Sequence, residues 1–277
     1  MAGGSEAVPA PRGRTSARRG AGGTPASVVR DRLLAGLTFS SGAVDAIAFL
    51  GLGKVFTAFQ TGNLVFLGIG LADAGAVHVA RAAVSLAAFA AGVLLATRFV
   101  RVGRGSGLWP PRVSAALGLT WIAQAVFAVV WLATSGHPGT ASEDVLLALS
   151  AVAMGLQSGA VLSLGVTGVF TTAATATVMC LMRDEAGRPA ASDGERTRFV
   201  RVLVALVAGA TAGAALMLHA RAWAPLLPLA ATAGVLAAAT SAWAPVAQLS
   251  PRRRRAARVW RRRPAGPPRR PGGSATA

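Results

Sequence analysis

Asp45 is the acid whose position is hardest to reconcile with its surroundings. It stands 12 residues into an apolar stretch that begins at Leu33, and no other acid lies inside a comparable stretch. If that stretch crosses a bilayer, its carboxylate costs about 2.5 to 3.5 kcal/mol even on the lenient insertion scale, so it needs a partner or a wet cavity. Two roles meet that need. Asp45 is a proton- or cation-coupling carboxylate, or it is a structural group that caps backbone or pairs with Lys54. On one straight helix residues nine apart lie on opposite faces, so pairing with Lys54 requires a chain break between them.

Thr57, Gln60, Thr61, Gly62 and Asn63 form a polar cluster a few residues later, and Gln157, Ser158, Thr171 and Thr175 stand in comparable surroundings in the second half of the chain. Small hydroxyls beside glycine at a helix break can bind an ion or an anionic group through side chains and freed backbone. The same residues also serve as packing glue between membrane helices. Ser41-Gly42 and Ser158-Gly159 invite comparison with intramembrane serine proteases, with His219 as base, but Phe39 and Leu156 occupy the positions where such a motif needs glycine. An intramembrane enzyme is therefore the remote alternative, and the chain is expected not to be an enzyme. A single cysteine, Cys180, and three scattered histidines support no disulfide, thiolate cage, metal site or other cofactor.

The elements that must position these residues follow from composition. Of 277 residues, 53% are apolar and only 14% charged, against roughly 25% charged in an ordinary soluble domain. Eight apolar segments lie near 33–53, 55–72, 79–100, 113–133, 145–164, 166–182, 199–220 and 223–244. Most approach the ~20 residues that carry a helix across about 30 Å of hydrocarbon, and β-barrel alternation is absent, so the class is all-α. In the last segment Trp223 and Trp243 would sit about 30 Å apart, one in each interfacial belt.

The chain also repeats itself. Ser41-Gly42-Ala43-Val44 recurs as Ser158-Gly159-Ala160-Val161 at an offset of 117, and Val55-Phe56-Thr57 with Thr61 recurs as Val169-Phe170-Thr171 with Thr175 at 114. A weaker echo sets Arg81, Val84 and Leu86 against Arg201, Val204 and Leu206. Asp45 aligns with Leu162, so a charge-dependent step belongs to one half alone. Cytoplasmic loops hold an excess of Lys and Arg. Eight crossings would put the loop with Arg98, Arg101, Arg104 and Arg112 outside, whereas one net crossing each for 33–72 and 145–182 puts every Arg-rich loop inside except at Arg221. Three crossings per repeat invert the second half relative to the first, which is the plan of many secondary transporters. It also calls for a broken or re-entrant first element in each half, with Gly51, Gly53, Gly62 and Gly68 as breaks in one and Gly165 and Gly168 in the other.

More than half of the net charge of +18 sits in the two tails, 1–32 and 246–277, which have too little to bury to become ordered. Arg252, Arg253, Arg254 and Arg255 are expected to bind anionic headgroups at about 1 kcal/mol each near the surface, with no specific nucleic acid as partner.

The stretch Gly42-Ala43-Val44-Asp45-Ala46-Ile47-Ala48-Phe49-Leu50, followed by Val55-Phe56-Thr57-Ala58-Phe59-Gln60-Thr61-Gly62-Asn63-Leu64, resembles the signature of the YoaK family of bacterial multi-pass membrane proteins, a family named for a domain of unknown function. The resemblance covers about 33–245 and implies membrane location. The expectation is an all-α polytopic bundle in the bacterial cytoplasmic membrane, with both termini cytoplasmic and about six net crossings in two inverted repeats, near 33–133 and 145–244. Its expected function is secondary transport of a small solute or ion through Asp45 and the 57–63 cluster; the alternative is a non-transporting protein that binds a partner or a lipid.

Overall fold

The computed structural model describes residues 25–72, 79–101, 108–166, 174–185 and 193–242. All regular structure among them is helical: α1 (Pro25–Gly51), α2 (Gln60–Ala72), α3 (Val79–Arg101), α4 (Pro111–Ala133), α5 (Thr140–Leu162), α6 (Ala174–Glu185) and α7 (Asp193–His219), then a 3-10 turn at Arg221–Trp223 that leads into α8 (226–242). Six of these, α1, α3, α4, α5, α7 and α8 with its leading turn, are long and apolar enough to cross a membrane. With 13 residues α2 reaches only about 20 Å and cannot span alone. The eight apolar segments thus resolve into six spanning helices and two short ones.

Contacts at the helix ends assign each helix a direction. At one end of the bundle Arg198 on α7 lies 3.8 Å from Asp31 on α1, and Arg112 at the start of α4 donates to the carbonyl of Phe99 near the end of α3. At the other end Gly51 abuts Trp131 and Met217, and Arg81 at the start of α3 bonds Glu143 and Asp144 at the start of α5, both at 2.8 Å. So α1 and α7 run parallel to one another, as do α3 and α5, and these two pairs have the most extensive contacts in the molecule. Glycines bring each pair together backbone to backbone. A Cβ on Gly42 would strike Leu206 O, one on Gly209 would strike Phe39 O, and in the other pair Gly92 faces Val152 O and Gly155 faces Phe89 O. Gly159 and Gly213, one turn after Gly155 and Gly209, extend these contacts to Val93 O and Ala43 O.

Burial repeats between halves. Helices α1 and α5 are the most enclosed, α3 and α7 the least, and α4 and α8 lie between. Two large apolar cores result, one around Leu34, Leu37, Leu117 and Val161 toward the Asp31 end, the other around Ile47, Leu52, Trp131 and Leu147 toward the Trp131 end, with a smaller cluster of Val44, Ala58, Ala153 and Met154. Between them lies a polar waist. Ser40 Oγ shares a hydrogen bond with Thr232 Oγ1 at 3.1 Å and receives one from Gln124 Nε2 at 3.3 Å, while Gln157 Nε2 donates to Leu37 O at 3.1 Å. Large apolar side chains such as Leu64, Leu95, Ile122, Val129, Val204 and Leu218 stay exposed around the outside, where lipid rather than water is the matching solvent.

Three sequence expectations need correction. Helix α1 starts at Pro25, so Arg30, Asp31 and Arg32 belong to a helix and not to the tail. The break expected within 33–72 is present and follows a continuous helix of 27 residues, as the turn at Gly165 follows 23 residues in α5, but not every glycine chosen to mark a break lies at one. Gly51 and Gly53 sit at that interruption, whereas Gly62 and Gly68 are inside α2; Gly165, with φ 63, turns the chain after α5. Finally, Arg221 is not the only arginine at the Trp131 end, because Arg81 lies there too. Both are engaged: Arg221 Nε donates to Gly136 O at 2.7 Å and its guanidinium stacks 5.6 Å from the centre of the Trp131 ring. Gly168, Trp243 and the tails lie outside the described residues.

Candidate functional site

Helix α1 ends at Gly51, and Gly53 and Lys54, with φ of 87 and 61, reverse the chain. Glycine is required at 53 for space as well as angle, because the position of its absent Cβ is filled by the Arg81 guanidinium. The reversed segment runs back along α1 and presents the amides of the three residues before α2 to Asp45. Asp45 Oδ1 accepts from the N–H of Thr57 at 2.9 Å and of Ala58 at 2.8 Å, and Oδ2 accepts from Phe59 N–H at 3.0 Å. These donors lie just before the start of α2, where a carboxylate is favoured by the positive end of the helix dipole. Asp45 therefore anchors the three residues that lead into α2.

Four further side chains clamp the segment. Asn63 reads both backbone groups of Phe56, its Oδ1 accepting from the N–H at 3.0 Å and its Nδ2 donating to the carbonyl at 2.7 Å. Ser85 on α3 donates to the same carbonyl at 2.6 Å, and Gln60 Nε2 donates to Thr57 O at 2.8 Å and to Ser85 Oγ at 3.2 Å. From α5, Ser150 Oγ donates to Thr57 Oγ1 at 3.2 Å. Four elements, α1, α2, α3 and α5, thus meet at residues 55–60.

Of the residues selected from sequence, Asp45, Thr57, Gln60 and Asn63 come together here. Gly62 packs against Phe56 and Phe59 in the first turn of α2, and Thr61 points away and is exposed. Gln157 belongs to the polar waist instead, and Ser158 Oγ returns to its own helix at Met154 O, 2.8 Å away. Thr175 is exposed on α6. Thr171 and Arg252 to Arg255 lie outside the described residues. Asp45 does not pair with Lys54, whose ammonium sits 5.1 Å from the centre of the Phe49 ring. Nor do the freed amides at the break await an external anion, since the chain's own carboxylate fills that place. Ser85 and Ser150 are participants that sequence reasoning missed; each is an isolated polar residue in an apolar run, which is the signal that could have found them.

Beside this clamp, between α1 and α7, lies a cleft of 540 Å³ bordered by Ser41, Asp45, Phe49, Phe56, Phe59 and Leu206, among others. Asp45 is half-buried at its edge. Among the described residues no group of three or more His, Cys, Asp or Glu could hold a metal ion.

The family profile DUF1275, described as a protein of unknown function, matches residues 33–239, from within α1 to within α8. The chain belongs to the DUF1275 family. It is 35% identical over 163 residues to the UPF0700 transmembrane protein YoaK of Bacillus subtilis (strain 168), an alignment covering 59% of this chain and 70% of that protein. No solved structure matches. The DUF1275 match includes every residue of the clamp, so this arrangement belongs to the family's part of the chain. Within it Asn63 is fully buried and its amide satisfies two backbone groups at once. Asn63→Leu should destabilise the protein by about 2 kcal/mol, because buried donors and acceptors lose partners and leucine offers none. Thermal unfolding in detergent checks this; an unchanged midpoint would show that the clamp carries no stability.

Proposed function

We propose that this multi-pass membrane protein is a secondary carrier of a small solute, with the α1–α7 cleft as its binding site and Asp45 as its coupling group. One observation carries the proposal: the carboxylate that borders the cleft also holds the chain break before α2. A solute or proton that engages Asp45 competes with the amides of Thr57, Ala58 and Phe59, so occupancy is linked to the freedom of a segment able to move.

An inverted arrangement of the two halves would support this. Asp31 with Arg198 ties α1 to α7 at one end, and Asp144 and Glu143 with Arg81 tie α5 to α3 at the opposite end. Arg81 and Arg198 differ by 117, the offset of the Ser-Gly-Ala-Val repeat, and the order of burial along α1, α3, α4 recurs along α5, α7, α8. Two halves related by a pseudo-two-fold axis in the membrane plane would produce both patterns. Arg30, Arg32, Arg98, Arg112, Arg196 and Arg201 gather toward the Asp31 end, so that end faces the cytoplasm in this proposal, with both termini there and the inner membrane as location.

Two measurements test it. With Cys180 replaced by Ser, a cysteine at His137 should react with an impermeant thiol reagent in intact cells and one at Leu108 should not; the reverse pattern would invert the proposed orientation. Full-length protein in liposomes should then accumulate at least one solute from a cell extract above protein-free liposomes, as read by mass spectrometry of the trapped contents. The Asp45→Asn protein should lose that accumulation. No accumulation, or accumulation that ignores Asp45, removes the carrier in favour of a membrane protein that binds without transport.

A further inference from the structure

The chemistry of the α1–α7 cleft points to a class of ligand, and this inference rests on the carrier proposal only in taking the cleft as the binding site. The cleft's border is apolar apart from Asp45, Ser41 and Thr211, and no cationic side chain lines it. Asp45 brings negative charge. Its Oδ1 already takes two N–H groups, whereas Oδ2 takes one and keeps capacity for a second. One helical turn earlier Ser41 is wholly buried, and its Oγ has no hydrogen-bond partner. A buried hydroxyl without a partner costs about 1 to 3 kcal/mol, so a polar atom arriving in the cleft would find two waiting acceptors on one face of α1.

Three phenyl rings stand around them. Phe49 stacks on Phe56 at 5.1 Å between centres, and Phe59 meets Phe56 edge-on at 5.3 Å while remaining 38% exposed. Negative ring faces beside a carboxylate favour a cation, and the cluster already receives one, the Lys54 ammonium over Phe49. An anion would meet Asp45 with no compensating charge. A bare metal ion would find one carboxylate oxygen, one hydroxyl and a ring of carbon, too few ligands for a hard cation.

We propose that the cleft binds an organic ammonium with an apolar body, its N–H groups donating to Asp45 Oδ2 and Ser41 Oγ and its hydrocarbon part against Phe59 and Leu206. A volume of 540 Å³ suits a molecule of small-drug size.

Binding of phenethylammonium to the full-length protein in nanodiscs, followed by calorimetry, tests this apart from any transport. Saturable binding is expected, with phenylacetate and 2-phenylethanol at least roughly tenfold weaker because they lack the charge that a desolvated carboxylate and ring faces reward. Ser41→Ala should weaken binding by roughly tenfold, the lower end of what one hydrogen bond to a charged donor is worth. Asp45→Asn should remove it. Because that variant also loosens the 55–60 segment, Thr211→Trp provides a second test: it fills the cleft from the α7 side and removes none of the clamp's hydrogen-bonding groups, and it too should remove binding. Equal binding of phenylacetate, unchanged binding in Asp45→Asn or Thr211→Trp, or no binding at all overturns the inference. Phenethylammonium bound but never accumulated in liposomes leaves it standing and counts against the carrier; accumulation of an anion through Asp45 without ammonium binding does the opposite.

Discussion

Leucine at Gly209 drives α1 and α7 apart, and little of the variant should be recovered as folded protein. A Cβ at 209 collides with the carbonyl of Phe39, and Gly213 one turn on is already so close that its own Cβ would lie 2.8 Å from Ala43 O. The atoms in the way are backbone, which cannot rotate aside as a side chain can. Overpacking in a soluble core costs about 1 to 3 kcal/mol and sometimes more. Here the cost falls on an interface held chiefly by close packing, because lipid tails are as apolar as leucine and give helices no hydrophobic reason to associate. Gly92→Leu should fail in the same way at Val152 O in the α3–α5 pair, whereas Gly234→Leu, whose Cβ meets open space, should behave like the parent protein. Yield of the monodisperse species on size exclusion and its thermal midpoint read the outcome. A Gly209→Leu protein as stable as Gly234→Leu would mean that the two helices are not in this contact.

The second large effect is expected at Asp45, and it is local. Asparagine there can still accept from Thr57 and Ala58 through its oxygen, but its NH₂ meets the Phe59 N–H donor to donor. The bonds that remain lose their charge assistance, roughly halving their strength. A cost of about 2 kcal/mol follows, which should fall on the 55–60 segment because the spanning helices do not depend on it. A cysteine at Ala58, which is buried in the closed segment, should then react with a thiol reagent roughly thirtyfold faster in the Asp45→Asn background, since about 2 kcal/mol of easier opening is a factor of about thirty when reaction tracks the open population. Far-UV circular dichroism should hardly change. Equal reactivity in both backgrounds would show that the three amides do not need the carboxylate, and the coupling proposed for Asp45 would lose its mechanical basis.

The six spanning helices were legible because hydropathy alone marks them, and the two short segments were legible as apolar but not as short. Boundaries failed where charge interrupts apolar sequence within a helix. Arg30, Asp31 and Arg32 read as tail, yet they lie in α1, where Asp31 meets Arg198; Glu143 and Asp144 read as loop, yet they open α5 because Arg81 receives them. In the inverted arrangement proposed above, Arg81 would correspond to Arg198 rather than to the Arg201 of the third repeat echo. At the site, Asp45 and residues 57–63 could be linked in advance because a break between them lets one stretch of chain fold back on itself. Ser85 and Ser150 could not, since their part depends on which face of α3 and of α5 turns toward α1, and that is decided by glycine contacts between helices distant in sequence. Gln157 was visible as a buried amide, but its partner Leu37 was not, for the same reason.

The parallel pairing of α1 with α7 has a consequence for how the protein is made. At a synthesis rate of about 5 to 20 residues per second, the stretch separating Gly42 from Gly209 takes on the order of 10 to 30 seconds to leave the ribosome. Throughout that interval α1 is already in the bilayer with Ser40, Ser41 and the backbone face at Gly42 turned toward lipid, while its neighbours on α7 and α8 do not yet exist. Asp45 is spared part of that wait, because its own amide donors follow within 14 residues of it. The earliest helix to enter is thus among the last to be enclosed. A cell that slows translation, or lacks an insertase to shelter a half-polar helix, should lose this protein at that stage rather than after release.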